Sequence, residues 1–91
     1  MKVRAHVFIS GRVQGVFFRS ETRQAARKHH VCGWIRNIPD QRVEAVFEGE
    51  DVNVKQLLEF CKRGSPSSKV TRIEVSWEPC FGGFNDFEII Y

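Results

Sequence analysis

Ninety-one residues, 42% of them hydrophobic, fit one domain around one core and leave no room for a second. A net charge of +3, from 14 basic and 11 acidic residues, is a mixed solubilising surface and excludes a polybasic arm. No apolar run could span a membrane or serve as a secretory signal, and Cys32, Cys61 and Cys80 fall in no CxxC or other metal-ligand spacing. The expectation is a single cytoplasmic domain, 1–91, with reduced thiols. Spacing alone does not decide whether two of them pair.

In chain order, residues 2–10 alternate, with Val3, Ala5, Val7 and Ile9 on one face and Phe8 interrupting the polar face. That is a half-buried strand. The nine residues "GRVQGVFFR" (11–19) follow, long for a connector. Phe18, Thr22, Ala25, Ala26 and His29 then form one helical stripe, with Ser20 as the expected N-cap. "VCGWIRNI" (31–38) and "RVEAVFE" (42–48) read as a hairpin with Val43, Ala45 and Phe47 inward and Gly49 ending the second strand. Val54, Leu57, Leu58 and Cys61 mark a second helix, capped by Asp51 or Asn53 and stopped by Gly64 and Pro66. Residues 70–77 alternate again, with Thr71, Ile73, Val75 and Trp77 on one face. "PCFGGFND" is a loop, and "FEIIY" is a short edge strand.

The order βαββαβ is the α+β, ferredoxin-like split βαβ pattern: an antiparallel sheet, two helices on one face and a short extra C-terminal strand. In that topology the first and second strands run the same way with the third between them. Loop 11–19 and Asn37 therefore meet at one sheet edge, although eighteen residues separate Arg19 from Asn37.

The loop offers glycines for unusual backbone angles, amides that can converge into an anion nest, and entry to a helix N-terminus. Arg19 adds a planar fork suited to phosphate oxygens. Taken alone, these features fit a phosphate site and a glycine-containing surface loop about equally. An asparagine before a turn ordinarily serves the turn itself. Asn37 gains a second reading from its neighbour across the sheet, because a neutral amide orients water without repelling an anion. His6, His29 and His30 read as a sheet residue and helix-end residues, the latter pair suited to the helix dipole.

"GRVQGVFFR" resembles the signature loop of the acylphosphatase family, G-x-V-Q-G-V-x-F-R, and "GWIRNIPD" is similar to its second motif. The likeness continues through "VEAVFEG", "GSPSSKV" and "DFEIIY". The resemblance implies hydrolysis of acyl phosphates to carboxylate and phosphate. The N–H groups of Gln14, Gly15, Val16, Phe17 and Phe18 would cradle the phosphoryl group, Arg19 would bind its oxygens, and Asn37 would hold the attacking water. It implies no metal and no cofactor, a small-molecule acyl phosphate substrate, no nucleic-acid or membrane partner, and a monomer. Two positions depart from the pattern: Phe17, where many members have glycine, and Gln41, where the hairpin turn usually has glycine. The physics agrees, since phosphoryl transfer from an activated leaving group chiefly needs positioning and charge stabilisation.

Two other readings compete. The same topology serves RNA-binding domains, and Phe8 on the polar face is compatible with that. A stand-alone relative of the acylphosphatase-like domain that begins hydrogenase-maturation proteins would take carbamoyl phosphate.

Overall fold

A computed structural model describes residues 1–15 and 17–91. The elements run β1 (Lys2–Arg12), α1 (Phe18–Lys28), β2 (Cys32–Asn37), β3 (Val43–Glu50), α2 (Asp51–Arg63), β4 (Lys69–Glu78) and β5 (Phe87–Ile89). The sheet order is β4-β1-β3-β2-β5. The first four strands pair antiparallel, and β5 joins β2 in parallel, which makes the five-stranded sheet mixed. Among the described residues, no helix is long and apolar enough to cross a membrane.

The alternation read in β1 is real: Ala5, Val7 and Ile9 are buried beneath the helices. Their neighbours across β3 are Phe47, Ala45 and Val43, also buried. Phe18, Thr22 and Ala26 of α1 and Val54, Leu57, Leu58 and Cys61 of α2 close the core from above. Stripes at helical spacing thus meet a sheet face at period two, which is the packing that this strand order needs.

Several local expectations fail for identifiable reasons. Ser20 is not the N-cap: α1 starts two residues earlier, Phe17 holds the cap position, and the Ser20 hydroxyl donates back to the Phe17 carbonyl at 3.1 Å. Neither Asp51 nor Asn53 caps α2 from outside, because the helix already begins at Asp51 and the cap position is Glu50. Gly49 does not end β3, which runs one residue further. On β4 a bulge opposite Ser10/Gly11 shifts the alternation, so Val70 rather than Thr71 packs toward the core. Trp77 remains 52% exposed because β4 is an edge strand with no neighbour beyond it.

The open face of the sheet carries charge in pairs. His6 Nε2 donates to Glu44 at 2.7 Å, and Arg36 grips the other Glu44 oxygen at 2.7 Å. Arg4 lies 3.4 Å from Glu78 and 4.0 Å from Glu48. Burial pushes the Glu44 carboxyl up, but the bonds from His6 and Arg36 outweigh it and hold the group below 4.5. Phe8, an apolar residue on this face, lies against His6 with the Arg42 guanidinium 4.8 Å from its ring centroid.

Candidate active site

Loop 11–19 begins with a constraint. A side chain at Gly11 would place its Cβ 2.0 Å from the Lys69 carbonyl oxygen, so β1 and β4 can approach this closely only with glycine. Val13 is then buried, and the chain turns with Gly15 at φ 72° and Phe17 at φ 62°. Left-handed residues are one half of the alternation that turns backbone amides toward an anion. Val16, between them, lies outside the described residues, so its expected cradle amide is not located.

Phe17 leads into α1 with no side-chain cap. Among the described residues, no acceptor is bonded to the amides of Phe18 or Arg19, while Glu21 N already bonds the Phe17 carbonyl at 3.0 Å. The start of α1 is therefore an open set of donors at the positive end of a helix. Arg19 makes no ion pair among the described residues. Its guanidinium instead sits 5.5 Å from the ring centroid of Tyr91. Val13, Gly15, Phe17, Phe18, Arg19, Ser20 and Ile89 line a cleft of about 300 Å³ here. The Phe17 ring is 80% exposed at its margin.

Asn37 ends β2 at the same sheet edge. Both Asn37 and Ile9 of β1 pair with Val43, so Asn37 stands level with Ile9 two strands away. At ordinary strand spacing that is about 10 Å. Asn37 does not line the cleft, but its Oδ1 is buried with no hydrogen-bond partner among the described residues. An unmet buried acceptor costs stability unless a donor arrives.

The turn after Asn37 keeps the left-handed position expected of a glycine. Ile38 O accepts from Gln41 N at 3.1 Å, Ile38 N donates to Arg42 O at 3.0 Å, and Gln41 has φ 71°. With Pro39 second, this follows a type I turn closed by a left-handed residue. The departure at position 41 therefore leaves the turn intact. The sequence reading missed the Gln14 side chain, whose Nε2 donates to Ile38 O at 3.0 Å and Arg42 O at 2.8 Å. Nothing local could reveal a contact across 24 and 28 residues.

A sequence profile of the Acylphosphatase family matches residues 5–89. The chain belongs to the acylphosphatase family. It is 53% identical over 90 residues to an acylphosphatase of Syntrophobacter fumaroxidans, spanning 99% of this chain and 93% of that one. It is 48% identical over 91 residues to one of Syntrophus aciditrophicus, spanning 100% and 95%. The crystal structure of acylphosphatase from Bacillus subtilis superposes with a TM-score of 0.94 at 38% identity, covering 98% of this chain and 99% of that one. Family and fold together make this an acylphosphatase-type hydrolase.

The other candidate groups stand apart from this site. Cys61 is buried in the core and its thiol is pushed up to about 12 by burial, so it stays protonated. Cys32 and Cys80 are free thiols at partly exposed positions. His29 and His30 close the end of α1: His30 N donates to Arg27 O and Val31 N to Ala26 O, a Schellman closure with His30 left-handed at φ 57°.

Proposed function

We propose that the cradle binds the phosphoryl group of an acyl phosphate while Asn37 presents water to it. The amides of Gln14, Gly15, Phe17 and Phe18 point donors at the equatorial oxygens, with Val16 assigned on its motif position alone. Arg19 grips two of those oxygens. The Asn37 Oδ1 accepts a hydrogen bond from water, which turns a water lone pair toward phosphorus. Water oxygen attacks phosphorus, and the bond to the acyl oxygen breaks with its electron pair leaving on the carboxylate. The water proton passes to a phosphate oxygen of the substrate. Positive charge comes from the amides and Arg19, so the reading calls on no metal or cofactor.

The observation that carries this reading is the set of unmet donors at the start of α1 beside Arg19, which has no acidic partner among the described residues. One chain supplies every group, so the reading is of a monomer. Three free thiols fit a reducing cytoplasm. Glu44, Glu48, Glu74 and Glu78 among the arginines of the open sheet face argue against nucleic acid as partner.

Phosphate release from benzoyl phosphate tests the roles. Arg19→Gln is expected to lower kcat/KM by about 100-fold or more. Asn37→Ala is expected to lower kcat while inorganic phosphate still inhibits. Comparable rates in wild type and both variants would overturn the assignment. The apolar margin of Phe17, Ile89 and Tyr91 favours benzoyl over carbamoyl phosphate, and the reverse preference would favour the hydrogenase-maturation reading.

A further inference from the structure

The Gln14 side chain has work separate from its backbone amide. Its terminal NH2 carries two protons, and both are used, at 3.0 Å on Ile38 O and 2.8 Å on Arg42 O. These are the same two carbonyls through which the turn after Asn37 bonds to itself. Among the described residues, these are the only hydrogen bonds between loop 13–17 and the segment 37–42. The sheet itself does not join them, because β3 separates β1 from β2.

We propose that the Gln14 side chain is a positioning residue that fixes Asn37 against the phosphate cradle. The cradle is anchored to β1 and α1, and Asn37 to the β2–β3 turn. Without a bridge each half can shift independently, and a displacement of about 1 Å between reacting groups can cost on the order of 100-fold in rate. A primary carboxamide suits the task, supplying two donors without adding charge. Both partners are carbonyl oxygens, so a carboxylate would repel them and an alkyl chain would offer no donor. Removing Gln14 leaves both carbonyls their own turn bonds, so the fold should survive the loss.

The inference rests on the reading of Asn37 as the water-holding residue, and the test separates the two. Kinetics with benzoyl phosphate would compare Gln14→Leu, Gln14→Met, Asn37→Ala and the double variant Gln14→Met/Asn37→Ala. A positioning role expects kcat to fall about 10- to 100-fold in either Gln14 variant. The inhibition constant of inorganic phosphate should stay within about threefold, because cradle and Arg19 are untouched. The double variant should be no slower than Asn37→Ala, since the bridge has nothing left to position. An unchanged kcat, a multiplicative loss in the double variant, or phosphate affinity falling in step with kcat would each overturn the proposal. An inert Asn37→Ala overturns the functional reading instead. The bridge is then judged by NMR of the Asn37 side-chain amide: its signals should move in Gln14→Met, and unmoved signals would overturn it.

Discussion

Two polar regions of this molecule are built on opposite rules. On the open sheet face Arg4, His6, Arg36, Arg42 and Arg72 all lie against carboxylates of Glu44, Glu48, Glu74 or Glu78. Even the two buried atoms there that lack a hydrogen bond, Arg4 Nε and Glu48 Oε2, face an opposite charge at 3.4 and 4.0 Å. At the start of α1, Arg19 has no carboxylate among the described residues, and among them the first amides of the helix lack acceptors and the Asn37 oxygen lacks a donor. The two helix starts repeat the contrast. The Asp51 amide of α2 donates to the Met1 carbonyl at 3.0 Å and Val52 N to the Asp51 carboxylate at 2.8 Å, so that end is filled from within. Paired groups serve the fold, whereas unpaired ones weaken it, and in the proposed function a ligand completes their bonding.

The comparison breaks if the two helix starts respond alike. Gly15 is left-handed with open space around it, so alanine there meets no atom and pays only in backbone, about 1–2 kcal/mol. That strain pulls the neighbouring amide off its direction. Gly15→Ala is expected to lower kcat/KM by about 10-fold, equivalent to roughly 1.4 kcal/mol, and to weaken phosphate inhibition. Asp51→Asn at the other helix should leave hydrolysis unchanged and cost only about 0.3–1 kcal/mol of stability. Equal losses of activity in both would end the distinction.

The paired face sharpens it through pH. Glu44 is held below its ordinary 4.5 in the folded chain, so its contribution is fully present above that value and is lost as acid protonates it. Glu44→Gln is expected to cost about 1–3 kcal/mol at neutral pH, with the stability curves of variant and wild type converging as the pH falls below 4.5 and the carboxylate is protonated. Urea unfolding across pH 3–7 measures this, and kcat for benzoyl phosphate should not move. Parallel stability curves would mean that the charge of Glu44 contributes nothing through its pairs with His6 and Arg36.

Much of this was legible in the sequence because it is periodic. Alternation in 2–10 and the stripes through Phe18 and Leu57 are local patterns repeated by the fold, and the two motifs give the family. What stayed hidden was long-range or permissive. The Met1 carbonyl serves α2 across fifty residues, and the Gln14 side chain reaches the turn after Asn37 across 24 and 28. Ser20 looked like a cap because capping residues are the usual signal. The site leaves that end uncapped, and a residue with no capping side chain, Phe17, holds the position. The exposure of Trp77 follows from strand order, which the hydrophobic pattern of β4 does not contain.

The smallest expected effect separates the two kinds of strain. His30 and Phe17 are both left-handed without being glycine, at φ 57° and 62°. His30 closes α1 far from the cleft, whereas Phe17 borders it. Glycine relieves about 1–2 kcal/mol of backbone strain but adds unfolded-state entropy of about 0.4–1 kcal/mol. The net gain is at most about 1.6 kcal/mol and centres near 1 kcal/mol at either position, a rise of about 4–8 °C in Tm for a chain this size. His30→Gly should deliver that gain with kinetics untouched. Phe17→Gly should deliver a similar gain but raise KM for benzoyl phosphate, because the aromatic margin of the cleft is gone while Arg19 and the amides remain. If Phe17→Gly leaves KM unchanged, the ring contributes nothing to binding and its left-handed strain has no functional return.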